Sequence, residues 1–195
     1  YSTAQNVELL RRSINHLERA VQLHPNDYMT QLKLAQPYMR MGSLFAQSYL
    51  QAPPEDRPER EGDKEMALTL LNQGLQALDR AEEGLNYYVV YHRRATIYQV
   101  LLKLDPTQEN QYGYKRSLEM ALYLAPNDFE AAHNLAEMLV RRKDSPRERI
   151  VELRRSILRH NYHMFDQWYV HPAFRALREH RYRRAVALWE QILDV

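Results

Sequence analysis

Four side chains that could bind a metal or transfer a proton lie close together in the C-terminal quarter of the chain. They are His160, His163, Asp166 and His171, the densest group among eight histidines. A spacing of three residues places His160 and His163 on one face of a helix, and imidazole and carboxylate groups are common zinc ligands. The group nevertheless straddles a predicted helix boundary and has neither an HExxH motif nor a thiolate partner. Exposed or hydrogen-bonded histidines are therefore the preferred interpretation, and the sequence predicts neither a metal nor a cofactor.

The composition leaves little material for a catalytic site. The sequence has no Gly-rich phosphate loop, no GxSxG elbow and no paired-carboxylate motif, and it contains 5 Gly and no Cys. Without Cys the chain can form no disulfide and cannot use a thiol nucleophile. The adjacent Glu82 and Glu83 are interpreted as solvated surface. We therefore expect a protein that is not catalytic by itself.

Basic residues are concentrated near the C-terminus. Residues 1–140 carry 14 Lys and Arg against 18 Asp and Glu, whereas residues 141–195 carry 13 against 7. The arginine pairs are Arg141/Arg142, Arg154/Arg155 and Arg183/Arg184. They could contact nucleic acid, phospholipid or an acidic protein, but the interleaved Glu residues favour ordinary ion pairs on helix surfaces. Because no RNA-binding motif accompanies them, an acidic protein is preferred to RNA as a partner.

A repeated turn organises the elements that must position these side chains. Pro25-Asn26-Asp27 and Pro126-Asn127-Asp128 lie 101 residues apart, and each separates two amphipathic helical patterns. The matching positions are Leu17/Leu118, Ala20/Ala121, Leu23/Leu124, Tyr28/Phe129, Leu34/Leu135, Ala35/Ala136 and Arg40/Arg141. Proline ends the first helix of each pair, and Asn or Asp can cap the second. The chain therefore contains at least two similar helix–turn–helix units.

This pattern, which Tyr38 and Gly42 complete in its first instance, resembles the tetratricopeptide repeat. The resemblance implies helical hairpins of about 34 residues that stack into a right-handed α-solenoid, whose concave face binds a partner. Arg94 departs from the pattern, since the family usually has an apolar residue there. We predict an all-α fold and one tetratricopeptide-like domain over residues 1–195.

Helical periodicity and turn signals predict about nine helices. Their approximate ranges are 4–23, 28–50, 64–81, 87–104, 109–124, 129–142 and 146–160, followed by two helices within 161–195 that divide near His180. Pro37 is expected to kink or break the second helix. Residues 51–63 contain three prolines and several charges, so they are predicted to form a flexible inserted loop. Residues 161–195 depart from the repeat pattern, as is typical of terminal capping helices.

The resemblance also implies a binding face. In the family, the first helix of each hairpin lines the concave groove, and these helices correspond to the second, fourth and sixth predicted here. The residues implied on that face are Lys33, Gln36, Arg40, His92, Arg93, Gln99, His133, Asn134, Glu137 and Arg141. Such amide and charged groups could recognise an extended peptide through its backbone and carboxylates. One subfamily binds the acidic C-termini of heat-shock chaperones through a fixed set of residues, but only Asn134 matches that set, so this ligand is not predicted.

Two hypotheses about function follow. The first is a non-catalytic protein–protein interaction or scaffold module that binds a partner segment in its concave groove. The second is the soluble regulatory or substrate-presenting domain of a larger bacterial envelope glycosyltransferase or polysaccharide-assembly protein. Nucleic-acid binding through the C-terminal arginines is a weaker third, and self-association through the solenoid ends stays open.

The compartment is also open. No run of 18 or more apolar residues predicts a membrane span in this segment, so a soluble segment is expected. A lack of Cys is compatible with cytoplasm and periplasm alike. Because the sequence begins at Tyr1 rather than Met, a piece cut from a longer protein is one interpretation.

Overall fold

The computed structural model describes residues 3–141 and 146–193. Within these ranges the regular secondary structure is helical throughout. The helices are α1 (Thr3–Leu23), α2 (Tyr28–Gln51), α3 (Glu61–Glu82), α4 (Tyr88–Leu104), α5 (Gln108–Leu124), α6 (Phe129–Val140), α7 (Arg147–His160), α8, which consists of the contiguous segments Tyr162–Phe165, Asp166–Val170 and His171–Arg178, and α9 (Tyr182–Leu193). The middle segment of α8 is π-helical. The predicted all-α fold and its nine helices are thus confirmed for the described residues.

The two Pro-Asn-Asp turns have the same local structure. Asp27 Oδ1 accepts a hydrogen bond from the Thr30 amide at 3.1 Å, and Asp128 Oδ1 accepts one from the Ala131 amide at 3.0 Å. In both turns the aspartate therefore satisfies a free N–H at the start of the following helix, which stabilises such a terminus by about 1 kcal/mol. The sequence repeat is accordingly also a repeat of the hydrogen bond by which an aspartate side chain caps the following helix.

Helix α2 continues through Pro37 without a break. Proline lacks the N–H that would bond the Lys33 carbonyl, and its ring crowds that carbonyl. The helix persists because the surrounding turns are anchored in the core, where Leu32, Ala35 and Tyr38 are buried. Of the kink or break that the sequence suggested at Pro37, the break does not occur, since tertiary packing outweighs the local cost.

The segment between α2 and α3 is shorter than the predicted loop at 51–63. Gln51 is the last residue of α2, a 3-10 turn covers Arg57–Arg60, and α3 begins at Glu61. Acidic residues in the first turn of α3 favour this earlier start because they lie at the positive end of the helix dipole. The Ser48 hydroxyl donates to Asp63 Oδ2 at 2.7 Å, which ties the last turns of α2 to the first turn of α3.

The chain divides into two compact units, residues 1–120 and 121–195, and the division falls within α5. In the first unit, α2 packs against α1, α3 and α4, and α3 also packs against α4. Leu71, Leu78 and Ile97 are fully buried in its core. Gly113 of α5 lies directly against the Tyr98 ring of α4. This unit holds the predicted face residues of α2 and α4.

The second unit is built from α6 to α9 and the end of α5. Helix α6 packs against α7, α7 against the first segment of α8, and the rest of α8 against α9. Leu135, Ile157, Phe165 and Ala173 lie in its core. The single domain over residues 1–195, the solenoid and the capping role of 161–195 stay predictions.

Candidate functional site

Arg93 of α4 is held against α2. Its Nη1 donates to the Leu32 carbonyl oxygen at 2.5 Å, and its Nη2 donates to Gln36 Oε1 at 3.3 Å. Burial lowers the pKa of the Arg93 guanidinium, and the charge of Arg40 lowers it further, although an arginine remains charged at neutral pH. The structure therefore brings together Gln36, Arg40 and Arg93, three residues of the predicted binding face.

The local sequence explains this contact. Val90 and Ile97 are completely buried, and this fixes the rotation of α4 about its axis so that Arg93 points at α2. The Leu32 carbonyl that receives Arg93 lies in the helical turn before Pro37. Pro37 removes the amide partner of the neighbouring Lys33 carbonyl, and Arg93 adds a donor to the carbonyl one residue before it.

The other face residues of the first unit surround this contact. Lys33, Arg40 and Gln99 are exposed, and His92 is half-buried. With Arg93, the face carries three cations on two neighbouring helices. Exposed guanidinium and ammonium groups beside an anchored arginine are suited to carboxylates and peptide carbonyls.

The face residues of the second unit are engaged by their own chain. The His133 ring stacks on Trp168 with ring centres 4.1 Å apart, and its Nδ1 lies 2.8 Å from the Tyr169 hydroxyl. Glu137 Oε1 lies 3.9 Å from Nη2 of Arg154. Asn134 is half-buried, and Arg141 is exposed just beyond the end of α6. His133 and Glu137 thus connect α6 to α8 and α7.

Burial shifts the pKa values of His133 and Tyr169 in this cluster of the second unit. Arg154 is 2 % exposed, and its guanidinium lies over the Tyr169 ring at 5.2 Å. Burial raises the pKa of Tyr169 to about 12 and lowers the pKa of His133. Arg154 also hydrogen-bonds the Tyr169 hydroxyl, which in turn lies against His133 Nδ1. The cluster is a buried hydrogen-bond network inside the second unit.

Sequence reasoning missed the role of Arg94. Its guanidinium bonds Asp79 at 2.7 Å and Glu82 at 2.6 Å, both on α3, and its side chain is 12 % exposed. Glu82 also accepts a hydrogen bond from the Tyr91 hydroxyl at 2.8 Å. The interpretation of Glu82 as solvated surface is therefore wrong. The sequence did contain a sign of this ion-pair site. Asp79 and Glu82 are three residues apart, so their carboxylates share one helix face.

The candidate metal group does not assemble. His171 Nδ1 lies 3.1 Å from Asp166 Oδ2, whereas the His160 ring bonds the Ser156 carbonyl at 2.8 Å. Among the described residues, no group of three or more His, Asp or Glu side chains is placed to hold a metal ion.

The C-terminal arginine pairs differ in exposure. Arg154 is buried, whereas Arg155, Arg183 and Arg184 are exposed. Arg142 lies outside the described residues. A continuous basic surface built from all three pairs is therefore not available, since one member points into the core.

In the part of the chain that the structure describes, no helix has an apolar stretch long enough to cross a bilayer. Comparison with protein-family models found no match to the chain. Comparison with curated proteins found none either.

Proposed function

We propose that this protein is a non-catalytic interaction module of tetratricopeptide-like hairpins, which binds an extended acidic peptide segment along α2 and α4. The anchored Arg93 carries the proposal. It joins two helices that are not consecutive in the chain, and it places a fixed cation beside Arg40. An exposed face built in this way is suited to recognition rather than to chemistry.

The pairing of helices supports hairpins of this kind. Consecutive helices α2 and α3 pack together, as do α6 and α7, while α2 also meets α4. In a solenoid of hairpins, the first helices of neighbouring hairpins meet in this way and line one surface. The two aspartate-capped turns recur at the same place in their units, which supports a common repeat.

The polar groups on this face suit an acidic peptide in extended form. Gln36 uses its carbonyl oxygen to accept from Arg93, so its amide N–H groups are directed to other acceptors. Arg40 and Lys33 are exposed and lie about two helical turns from each other on α2. Gln36 would bind a peptide carbonyl, and Arg40 and Lys33 would bind carboxylates. Since these cations are exposed, binding should weaken with salt.

Selection from a random peptide library tests the proposal. The folded protein is immobilised, bound peptides are sequenced, and their affinities are measured by fluorescence anisotropy at low and high salt. Enriched peptides should contain Asp or Glu. The Lys33→Glu/Arg40→Glu variant should bind them at least about 10-fold more weakly, since reversing two nearby charges costs more than about 1.4 kcal/mol.

The matched control is Arg11→Glu/Arg19→Glu, which changes the net charge equally at two exposed positions of α1. It should keep the affinity within about twofold. The proposal is contradicted if both variants lose affinity equally, or if the enriched peptides carry no acidic residues.

A further inference from the structure

An exposed apolar surface lies on the last two helices. Phe174 and Leu177 of α8 are 46 % and 45 % exposed, and Tyr182 and Val186 of α9 are 58 % and 56 % exposed. We call these four residues the C-terminal apolar patch. Large apolar side chains that lie this far open to solvent on adjacent elements mark contact sites more often than chance exposure does.

The patch is continuous across the two helices. The rings of Phe174 and Trp189 lie 5.0 Å apart, which sets the antiparallel register of α8 and α9. In this register Leu177 and Val186 are at the same level. Ala176 and Ala185 are buried between the helices. Because these side chains are small, the two helices pack closely, and the neighbouring Leu177 and Val186 remain at the surface.

The connecting turn is also well defined. His180 has a positive φ of 56°, and its Nδ1 lies 2.7 Å from the Tyr182 hydroxyl. The Arg181 amide donates to the Ala176 carbonyl at 2.9 Å. These contacts hold Tyr182 beside the end of α8.

The two helices that carry the patch and their connecting turn are strongly basic, and the arginines beside the patch, Arg178 and Arg183, form its rim. Residues 171–190 contain five Arg and two Glu, a net charge of +3. The arginines are Arg175, Arg178, Arg181, Arg183 and Arg184, and all are exposed. Glu179 forms an ion pair with Arg181. An apolar patch with this rim is complementary to a surface that is apolar inside and anionic outside.

We propose that the C-terminal apolar patch binds the surface of an anionic lipid bilayer. Phe, Leu, Val and Tyr enter the region between headgroups and acyl chains, and the arginines extend to the phosphates. The aromatic residues and the excess of exposed arginines favour this surface over an acidic helix, whose apolar face requires a groove rather than four protruding side chains. The protein lies on the membrane in this state.

Vesicle sedimentation tests the proposal. Purified protein is mixed with vesicles of phosphatidylcholine alone, or of phosphatidylcholine with about one third phosphatidylserine, at low and at about 0.5 M salt. Anionic vesicles should sediment the protein at low salt, and neutral vesicles should not. Each basic residue near the membrane contributes about 1 kcal/mol, or about fivefold in affinity, so high salt should reduce binding by at least about 10-fold.

Two variants locate the surface. Leu177→Gln/Val186→Gln removes apolar contact, and Arg178→Glu/Arg183→Glu reverses two charges beside the patch; each should weaken binding at least about 10-fold. Arg11→Glu/Arg19→Glu is the control with the same change of net charge, and it should bind within about threefold of the unmodified protein. Far-UV circular dichroism verifies that each variant is folded.

Three results would overturn the proposal. The first is no sedimentation with anionic vesicles at low salt. The second is an equal loss of binding in the control variant, which would indicate general charge attraction. The third is a dimer in sedimentation velocity that Leu177→Gln/Val186→Gln converts to monomer, since the patch would then be covered by a second copy of the chain.

Discussion

Ion pairs differ widely in how much they stabilise the fold, and those of Arg94 belong to the stronger kind. The Arg94 side chain is largely enclosed, and it holds two carboxylates of α3, of which Glu82 also accepts from the buried Tyr91. Arg12 and Glu8 form the opposite case, since both are well exposed on one helix. Enclosure reduces solvent screening and makes the loss of one partner costly.

We predict that Arg94→Ala lowers the free energy of unfolding by about 1–2 kcal/mol, the value being limited because Asp79 and Glu82 are partly exposed. Arg12→Ala should change it by less than about 0.5 kcal/mol. Urea denaturation followed by circular dichroism measures both. Equal effects of the two substitutions would show that the Arg94 ion pairs add no stability.

The Arg94 effect should also depend on pH. Burial acts to raise the pKa of Glu82, but hydrogen bonds from Tyr91 and Arg94 outweigh it, so its pKa is lowered from 4.5. A lowered carboxyl pKa stabilises the fold above the unfolded-state value, and this stabilisation is lost as the pH falls through the folded-state value. The difference between Arg94→Ala and the unmodified protein should therefore shrink as the pH falls below 4.5, the ordinary carboxyl value. A difference that is constant down to acid pH would contradict this.

His133 leads to a second prediction, which concerns how the stability of the fold changes as the pH falls below neutral. Burial lowers its pKa from 6.5, so below pH 6.5 the unfolded chain takes up a proton that the folded protein does not. Stability contributed by the neutral ring is thus present above pH 6.5 and decreases as the pH falls, until the folded-state pKa is passed.

We expect the urea midpoint reported by tryptophan emission to fall between about pH 7.5 and 5.5. It should fall less in His133→Gln, which cannot take up the proton. His16→Gln replaces an exposed histidine of α1 and should keep the full decrease. If His133→Gln shows the same decrease as the unmodified protein, other groups cause it.

At the scale of the elements, Gly113 determines how closely α5 can approach α4. A Cβ added there would lie 2.3 Å from the Tyr98 ring, whereas one added at Gly62 would meet no atom within 4 Å. Alanine favours a helix over glycine by about 1 kcal/mol. Alanine substitutions at the two glycines therefore distinguish the effect of helix propensity from the effect of packing.

Gly113→Ala should destabilise the protein by about 1–3 kcal/mol because overpacking outweighs propensity. Gly62→Ala should be neutral or stabilising by up to about 1 kcal/mol. In the background of Tyr98→Ala, Gly113→Ala should lose its cost, and this coupling is measured by a double-mutant cycle of urea midpoints. Additive effects would show that the Tyr98 ring is not the obstacle.

Local signals predicted the elements well and their contacts poorly. The capping aspartates and apolar spacing located α1 to α9 within a few residues, because capping and periodicity are properties of short segments. The absence of a break at Pro37 and the early start of α3 were not foreseen because they depend on buried neighbours and on Asp63 bonding Ser48. For the predicted face, the family resemblance implied Gln36, Arg40 and Arg93. It could not show that His133 and Glu137 are engaged by α8 and α7, since those contacts come from residues far along the chain.

At the scale of the whole molecule, the boundary between the compact units lies within one continuous helix, α5. In arrays stabilised by nearest-neighbour contacts, a local defect destabilises its own region first. Both tryptophans, Trp168 and Trp189, belong to the second unit. Their emission therefore reports on that unit, while circular dichroism reports on all helices.

We predict that Arg94→Ala, a change in the first unit, lowers the urea midpoint seen by circular dichroism more than the midpoint seen by tryptophan emission. The reverse should hold for Leu135→Ala, which leaves a cavity where a fully buried side chain of the second unit stood. Local loss of stability predicts this crossed pattern, because each defect removes contacts within one unit. Coincident shifts in both signals for both variants would mean that α5 transmits the damage and that the chain unfolds as one cooperative block.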